Sequence, residues 1–398
     1  MIPVAKALEM VLGLAPALPS ECVPLAGACG RFMARPATAR RDQPPFAASA
    51  MDGYAVTGPV SPGQSFRVVG EAGAGHGWAG HLGRGEALRI FTGAPLPAGA
   101  TWVVIQEDVV RTGAQIILRD HLETGANIRV AGQDFRTGDT LSPRLLRPGD
   151  IALLAAMNVP RVAVSRRPEV AIIATGDELV MPGESPRDDQ IIASNSFALA
   201  AMVTAAGGIA RMLPIARDTE SALRTAFELA AGADLIVTSG GASVGDHDLV
   251  GKVAANMGLE RAFYKIAMRP GKPLMAGRLR GSVLLGLPGN PVSSIVCAHI
   301  FMMPLLRAMQ GLATPSPQPL RAVLSEAVGA NGPRAHYMRA RLTPRDRLTP
   351  GQGLPQITPF DRQDSSLLGV LAQADALLIR PVGDGPLPAG TEVDFLPI

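Results

Sequence analysis

The chain has 398 residues, of which 47% are hydrophobic and 4% aromatic. A chain of this length is too long to form one ordinary hydrophobic core, so we expect two to four domains. The low aromatic content indicates that aliphatic side chains mainly fill their cores. The formal net charge of +3 comes from scattered lysines and arginines, which excludes a nucleic-acid-binding stripe and a polybasic membrane anchor.

The cysteines and histidines exclude further classes. Cys22, Cys29 and Cys297 include no C-x-x-C pair, and the histidines include no H-x-x-x-H pair. A disulfide scaffold and a zinc enzyme are therefore not expected, and a reducing cytoplasm fits. The sequence has no signal-peptide cleavage site, and no uncharged apolar run approaches a membrane span. We expect a soluble cytoplasmic protein.

The first part of the chain predicts two domains. The N-terminal segment MIPVAKALEMVLG has the spacing of an amphipathic helix. Residues 46–140 contain short runs in which apolar and polar residues alternate, and Gly and Pro separate these runs. This pattern is typical of a β-rich domain. Residues 141–167 return to a helix and a short strand. We expect them to form one discontinuous domain with residues 1–45.

Residues 168–310 alternate strands and helices, which predicts βαβ units and a parallel sheet. The predicted strands are 169–174, 211–216, 234–238, 263–267 and 283–287. The predicted helices are 194–206, 219–231, 247–257 and 291–308. A proline cluster at 315–319 marks a linker, and residues 317–398 predict a small C-terminal β-barrel or sandwich. The fold class is therefore α/β plus β, with a central open, mostly parallel sheet and flanking β-rich domains.

Several predicted strands end in polar turns that contain glycine. They are 169–179 (EVAIIATGDEL), 235–248 (LIVTSGGASVGDHD) and 282–294 (SVLLGLPGNPVSS). Because the carboxyl ends of parallel strands meet at one edge of a sheet, we expect one shared crevice. Gly240 and Gly241 allow close approach of a ligand, and N–H groups exposed there can hold an oxyanion.

Carboxylates at these strand ends predict a cation site beside the anion site. Asp246 and Asp248 follow one strand, and Glu178 follows another as a magnesium ligand or water-positioning group. The alternative for Glu178 and its neighbours is a capped turn. Asp218 occupies the equivalent position after a third strand, and a helix N-cap is an equally good interpretation of it.

A serine hydrolase is a weaker alternative for the glycine turn. Gly241, Ser243 and Gly245 match the G-x-S-x-G nucleophile elbow. The elbow needs a helix directly after the serine, where this chain has polar residues instead. The later histidines, His299 and His336, make poor partners, because the first lies in an apolar helix.

Cations and a helix start complete the predicted anion site. Lys265, Arg269 and Lys272 flank a Pro-Gly turn in KIAMRPGKP, a pattern that suits a tetrahedral oxyanion. In the segment GNPVS, Asn290 suits a helix cap and Pro291 suits the first helical position. The free N–H groups of that helix are also expected to bind an anion.

With these segments in order, the chain resembles the molybdopterin molybdenumtransferase family, which includes the MoeA proteins and the E-domain of gephyrin. The strings that carry the resemblance lie in the family's order between about residues 44 and 294. They are PPFAASAMDGYA, FTGAPLPAGATWVVIQED, NIRVAGQDF, VAIIATGDEL, SGGASVGDHD, KIAMRPGKP and LPGNPVSS. Each string is modestly specific, and the ordered set is very specific.

The resemblance implies an elongated homodimer of four-domain chains that completes the molybdenum cofactor. Such an enzyme takes adenylylated molybdopterin and molybdate, releases AMP and leaves molybdenum on the dithiolene sulfurs. Mg²⁺ or another divalent cation is expected as the cofactor. The site is shared between subunits, and Asp52 and Thr92 are expected to close the partner's site. A molybdopterin adenylyltransferase and molybdoenzymes are candidate partners.

The expected site residues combine the residue patterns with the resemblance. The catalytic set is Asp52, Thr92, Glu178, Asp218, Asp248, Lys265, Arg269 and Lys272. The substrate-binding set is Asp134, Gly240, Gly241, Ser243, Pro288, Asn290, Pro291, Ser293 and Arg339. The expected metal ligands are Glu178, Asp218, Asp246 and Asp248.

The chain departs from the family pattern at a few positions. Arg269 stands where many members carry lysine, so a forked donor replaces a point charge and oxyanion geometry could differ. Ala242 replaces a usual valine, a packing change expected to be silent. Gly369 and Val370 stand where many members have a second Ser-Ser pair.

Two rival functions share parts of the pattern. A molybdopterin adenylyltransferase has the same central domain, but the β modules on either side argue against it. A scaffold role, as gephyrin plays at receptors, is disfavoured because the carboxylates and cations are retained.

Overall fold

A computed structural model of the chain describes residues 1–241, 249–343 and 353–398. These residues divide into two compact units. The smaller unit is Cys22–Val164, and the larger unit joins Met1–Glu21 to Ser165–Ile398.

The first 165 residues contain short strands and few helices. In chain order the elements are α1 (Val4–Leu12), β1 (Ser20–Pro24), β2 (Ala37–Thr38), β3 (Ala48–Ser49), β4 (Gly53–Val56), β5 (Ser65–Ala72), β6 (Glu86–Ile90), β7 (Trp102–Ile105), β8 (Val109–Thr112), β9 (Gln115–Leu118), β10 (Ile128–Arg129), β11 (Thr140–Leu141), α2 (Pro148–Ala156) and β12 (Arg161–Ser165). Short 3₁₀-helices cover Leu25–Gly27 and Gln106–Asp108.

A six-stranded sheet dominates the smaller unit, with the strand order β7-β4-β6-β5-β9-β8. Two apolar clusters pack around it. One contains Phe66 and Ile116, and the other contains Leu88 and Ile90. Alternate residues of a strand point to opposite faces, which explains why the short alternating runs form this sheet. The predicted β-rich character of this part of the chain is confirmed.

The N-terminal helix α1 packs differently from the expectation. Its buried residues Ala7 and Val11 belong to the core of the larger unit. Met33 and Leu154, by contrast, share a separate core within the smaller unit. Helix α1 therefore does not join residues 141–167 in one core, because its apolar face is covered by the helices of the larger unit.

The central part of the chain alternates strands and helices as predicted. Its elements are β13 (Glu169–Ala174), β14 (Leu179–Val180), β15 (Ile191–Ile192), α3 (Asn195–Ala205), β16 (Ile209–Met212), α4 (Glu220–Leu229), β17 (Leu235–Ser239), α5 (Leu249–Asn256), β18 (Glu260–Tyr264), β19 (Met268–Arg269), β20 (Met275–Leu279), β21 (Ser282–Leu287), α6 (Pro291–Cys297) and α7 (Met303–Met309). A π-helical turn, Ala298–Met302, joins α6 to α7.

The central sheet is parallel where its strands are most buried. Its order is β16-β13-β17-β21-β20-β18, and β16, β13, β17 and β21 are mutually parallel. Ile172 faces one core of the unit, and its neighbour Ile173 faces another. Burial on both faces explains the continuous apolar runs of β13, β17 and β21. The predicted open, mostly parallel sheet is confirmed.

Several predicted elements of this sheet are corrected. The strand expected at 263–267 is Glu260–Tyr264, and it is antiparallel to its neighbour β20. Strand β20 was not predicted, because its sequence MAGRL contains a glycine and an arginine that disfavour a strand assignment. The strand expected at 211–216 begins and ends earlier, at Ile209–Met212.

One helical run is unusually apolar. Among the described residues, Pro291–Met309 is long and apolar enough to cross a membrane, with 19 residues and a mean hydropathy of 1.6. Inside the protein, 72% of an 18-residue stretch of this run is buried, as expected for a core helix. The helix contains Arg307, so it is not an uncharged apolar run of the kind that the sequence analysis considered. Burial in the core accounts for the composition.

The last part of the chain forms a small barrel. Its elements are β22 (Leu320–Leu324), β23 (Ala335–Thr343), β24 (Gln356–Pro359), α8 (Leu368–Leu371), β25 (Ala376–Arg380) and β26 (Glu392–Pro397). The strands close in the order β23-β24-β22-β26-β25, and β25 pairs again with β23. This closed ring confirms the predicted C-terminal barrel.

Candidate active site

A cavity of about 450 Å³ opens at the carboxyl edge of the central sheet. Strands β13, β17 and β21 run parallel and end there, so the turns that follow them meet. Of the predicted site residues, the cavity brings together Glu178, Gly240, Gly241, Pro288, Asn290, Pro291 and Ser293. Sequence patterns at separate strand ends therefore converge on one site.

The glycine turn after β17 leaves no room for side chains. Gly240 has φ +100, and a Cβ there would lie 2.5 Å from the Thr175 carbonyl oxygen. Gly241 has φ +62, and a Cβ there would lie 2.3 Å from a Val250 side-chain carbon. Glycine is thus required at both positions by backbone conformation and by space, as the sequence pattern indicated.

Asn195, which sequence reasoning missed, ties the strand ends together. Its side-chain amide donates to Ser239 Oγ and to the Gly289 carbonyl oxygen, both at 2.8 Å. Ser239 ends β17, and Gly289 follows β21. An asparagine in the first turn of the helix predicted at 194–206 suggests only a cap. Its true partners lie far along the chain and could not be inferred from spacing.

Replacing Asn195 by alanine is expected to lower the free energy of unfolding by about 1–3 kcal/mol, because two donated hydrogen bonds are lost. The exposed Asn256, at the end of α5, is the control, and Asn256→Ala should change stability by less than about 0.5 kcal/mol. Urea unfolding measures both. Equal effects of the two substitutions would contradict the bridging role of Asn195.

Three carboxylates gather beside the cavity. Asp177 Oδ1 accepts from the Asp218 backbone N–H at 3.2 Å. Partial burial, followed by the charges of Asp177 and Glu178, raises the pKa of Asp218. The N-cap interpretation of Asp218 is wrong, because Thr219 Oγ1 accepts from Ala222 N–H at the start of α4. The Asp218 side chain therefore does not cap α4.

Asp218→Asn is expected to raise the melting temperature of the ligand-free protein at neutral pH. A carboxyl whose pKa is raised by folding disfavours the native state when it is ionised. The gain should shrink as pH falls through the raised pKa toward the ordinary value of 3.8. Thermal unfolding from neutral to acidic pH tests this, with exposed Asp188→Asn as the control. A gain independent of pH would contradict the explanation.

The helix start after β21 agrees with the prediction in its positions and differs from it in its hydrogen bonds. The Val292 N–H donates to the Ser365 carbonyl oxygen at 3.1 Å. The Asn290 amide donates to Ser365 Oγ at 3.1 Å and makes no side-chain cap bond. Asn290 and Pro291 therefore occupy the predicted N-cap and first helical positions, although the cap makes no side-chain hydrogen bond and one helix N–H group is already bonded. A loop of the C-terminal region uses one of these donors.

The basic segment folds back on itself beside the cavity. The Lys265 N–H donates to the Leu274 carbonyl, and the Ile266 N–H donates to the Lys272 carbonyl, each at 3.1 Å. Lys265 Nζ lies 5.0 Å from the centre of the Tyr264 ring. Pro273, next to Lys272, lines the cavity. Lys265 follows β18 and Lys272 precedes β20, so these backbone hydrogen bonds bring the segments of the two lysines together, with Lys272 next to the cavity-lining Pro273.

Arg269 and Arg339 do not line this cavity. Arg269 lines a second cavity of about 500 Å³, together with His336 and Arg380. Burial, and then the charge of Arg269, lower the pKa of His336 to about 4. The Arg339 side chain is buried and donates from Nε to Gln363 Oε1 at 3.3 Å. Its hydrogen bonds to Gln363, Arg362 and Leu367 join β23 to the segment that follows β24.

The remaining predicted residues lie in the smaller unit or outside the described residues. Thr92 donates to Asp52 Oδ1 from its N–H and from its hydroxyl, each at 2.8 Å. These bonds lower the pKa of Asp52. Asp134 is exposed. Ser243, Asp246 and Asp248 lie outside the described residues. Within the described ranges, no group of at least three Asp, Glu, His or Cys residues is arranged to hold a metal.

Family models match consecutive parts of the chain. The MoeA N-terminal region (domain I and II) matches residues 2–158, the probable molybdopterin binding domain matches 171–308, and the MoeA C-terminal region (domain IV) matches 321–398. A molybdopterin molybdenumtransferase of Nostoc sp. is 34% identical over 403 residues, with 97% of this chain and 91% of that protein covered. This chain belongs to the molybdopterin molybdenumtransferase family.

Other relatives agree with this assignment. The molybdopterin molybdenumtransferase of Staphylococcus aureus is 30% identical over 404 residues, covering 99% of this chain and 95% of that protein. A solved molybdopterin biosynthesis MoeA protein of Pyrococcus horikoshii has a TM-score of 0.81 at 30% identity, covering 99% of this chain and 98% of that chain. The likeness spans the full length and confirms the family resemblance.

Proposed function

We propose that this chain inserts molybdenum from molybdate into adenylylated molybdopterin and releases AMP. The observation that carries the proposal is the cavity where β13, β17 and β21 end. The chain that contains it is 34% identical to a molybdopterin molybdenumtransferase, of which it covers 91%. The matches to the N-terminal and C-terminal MoeA regions favour this transferase over a molybdopterin adenylyltransferase. The reaction breaks a phosphoric anhydride and needs no protein nucleophile.

The proposed roles follow from charge and position. Both substrates are anions, so Lys265 and Lys272 supply positive charge beside the cavity, and Arg269 supplies more near the barrel. Ser293 and the glycine turn offer hydrogen-bond donors within the cavity. The attacking group is an oxygen of molybdate or water. The hydrogen-bond donors of the protein bind the phosphoric anhydride of adenylylated molybdopterin and stabilise the charge that develops on it. Asp52 and Thr92 are proposed to close the site of a partner subunit.

A divalent cation fits the acidic side of the site. Partial burial, followed by the charges of Asp177 and Glu178, raises the pKa of Asp218, so three negatively charged groups lie close together there. Oxygen ligands are those that Mg²⁺ prefers. Mg²⁺ held by Glu178 and Asp218, with Asp246 and Asp248, would supply neutralisation of charge that develops on the phosphate groups.

Location and assembly are further parts of the proposal. We propose a cytoplasmic location, because the chain has only three cysteines and disulfide bonds are rare in the reducing cytoplasm. In a homodimer with shared sites, Asp52 and Thr92 of one subunit would lie at the active site of the other. An adenylyltransferase that makes the substrate, and molybdoenzymes that receive the product, are the proposed partners. Neither nucleic acid nor a membrane is a proposed partner.

The activity is tested by supplying two substrate sets to purified protein. With adenylylated molybdopterin, Mg²⁺ and molybdate, AMP release is expected. With unmodified molybdopterin, Mg²⁺ and ATP, no adenylylated pterin is expected. Formation of adenylylated pterin from ATP would instead support the rival adenylyltransferase.

A further inference from the structure

Arg89 contacts the backbone beside Asp52 in the smaller unit. It lies in β6, whose antiparallel neighbour β4 begins directly after Asp52. Its Nη1 donates to the Gly53 carbonyl oxygen at 3.1 Å, and its Nη2 donates to Gln106 Oε1 at 2.7 Å. A planar guanidinium can make both bonds at once, because its donors point in fixed and different directions.

Two aromatic rings contact the same guanidinium. The Arg89 Cζ atom lies 5.1 Å from the centre of the Tyr54 ring and 4.7 Å from the centre of the Phe91 ring. A cation is attracted to the face of an aromatic ring, so these contacts restrict the side chain further. Phe91 directly precedes Thr92 in the chain. Arg89 therefore contacts the segment of Thr92 as well as the segment of Asp52.

The Asp52 carboxylate has one bonded and one free oxygen. Thr92 donates two hydrogen bonds of 2.8 Å to Oδ1, and the Gln106 N–H donates to the Asp52 carbonyl oxygen at 3.0 Å. The bonds from Thr92, and then the charge of Arg89, lower the pKa of Asp52. Within the described ranges, Oδ2 accepts no hydrogen bond. The carboxylate is thus held by one oxygen and can offer the other to a ligand.

We propose that Arg89 is a positioning residue for Asp52 in molybdenum insertion. Its hydrogen bonds and ring contacts hold the segments of Asp52 and Thr92 together, so that Oδ2 keeps one orientation toward the substrate. This inference rests on the proposed function, in which Asp52 and Thr92 close the site of a partner subunit. In this role Arg89 acts through Asp52 and needs no contact with substrate.

Arg67 is a matched control in the same sheet. It lies in β5, the neighbour of β6, and its side chain is 66% exposed. Its Nη2 pairs with Glu86 Oε1 at 2.7 Å. In the part of the chain that the structure describes, Arg67 makes no hydrogen bond to the segments of Asp52 and Thr92. Arg67→Leu therefore removes a cation from the sheet without removing the contacts of Arg89.

The first experiment is a double-mutant cycle of Arg89→Leu with Asp52→Ala, measured as kcat/KM for AMP release from adenylylated molybdopterin. Arg89→Leu should lower kcat/KM by about tenfold, as expected when a group of the site is misplaced. In the Asp52→Ala background it should cause no further loss, because Arg89 acts through Asp52. Arg67→Leu should keep the wild-type value. An equal loss in both backgrounds, or wild-type activity in Arg89→Leu, overturns the proposal.

A second experiment detects the positioning without turnover. In the ligand-free protein, the NMR resonance of the Thr92 amide reports its bond to the Asp52 carboxylate. Arg89→Leu should shift this resonance toward its position in Asp52→Ala, and Arg67→Leu should leave it at the wild-type position. An unshifted resonance in Arg89→Leu overturns the proposal. If Arg89→Leu does not fold, Arg89→Lys, which keeps the charge and loses the planar fork, replaces it in both experiments.

The outcomes separate this proposal from the proposed function. Wild-type protein that releases AMP, with an equal loss from Arg89→Leu in both backgrounds, overturns the role of Arg89 alone. Wild-type protein that releases no AMP contradicts the proposed function, and the Thr92 resonance then decides whether Arg89 positions Asp52.

Discussion

Lys272→Ala is expected to lower kcat/KM for AMP release by about 10²–10³-fold, because the reaction gathers several negative charges beside one cation. Lys272 is half-buried next to Pro273, which lines the cavity. Its ammonium makes no ion pair with a carboxylate among the described residues, so the charge is available to a substrate. Steady-state AMP release at varied molybdate concentration measures the effect.

The controls for Lys272 separate charge from stability. Lys272→Arg keeps the charge and should retain more activity than the alanine variant, although its forked donor differs in geometry. Lys6→Ala removes an exposed lysine of α1 that pairs with Glu9, and it should leave activity unchanged. Wild-type AMP release in Lys272→Ala would show that the basic turn does not bind substrate.

Glu178→Gln is expected to lower the rate of AMP release by about 10²-fold and to raise the Mg²⁺ concentration needed for half-maximal activity by about tenfold. Glu178 is exposed, lines the cavity and lies close enough to Asp218 to raise its pKa. The amide keeps the size of the side chain but loses the negative charge. Activity across a Mg²⁺ titration, together with calorimetric binding of Mg²⁺, measures both effects.

A nearby glutamate provides the control for Glu178. Glu184 is exposed, and its carboxylate accepts from the Met181 N–H at 2.8 Å in the segment that follows β14. Glu184→Gln keeps an acceptor there and should not change the Mg²⁺ requirement. If Glu178→Gln and Glu184→Gln gave the same Mg²⁺ dependence as wild type, the metal role of Glu178 would be wrong.

The central sheet could be predicted because a strand that is buried on both faces has a continuous run of apolar residues in its sequence. Strands β13, β17 and β21 are buried on both faces, so they are continuous apolar runs that stop abruptly at polar turns. The glycines after β17 were equally informative, since backbone conformation and close packing require them. The convergence of these turns followed from the geometry of parallel sheets.

The parts that could not be predicted depend on distant partners. Asn195 binds groups 44 and 94 residues away, and the asparagine at the α6 start binds Ser365, 75 residues away. Local spacing contains no information on such contacts. Helix α1 was misplaced for the same reason, since an amphipathic pattern shows that a face is buried without showing what covers it.

The unsatisfied hydroxyl of Thr175 shows a further limit of sequence patterns. A threonine before Gly-Asp-Glu fits a turn, and turn chemistry alone explains its presence. Its burial and the missing hydrogen-bond partner among the described residues are properties of the fold, which the local sequence does not contain.

The most direct test of the molybdenum-insertion account is stoichiometric. Purified protein is loaded with adenylylated molybdopterin and Mg²⁺, and AMP released and molybdenum bound are counted with and without molybdate. The account predicts that molybdate triggers AMP release and that each AMP released is matched by one molybdenum retained with the pterin. AMP release without any molybdenum retained would contradict it.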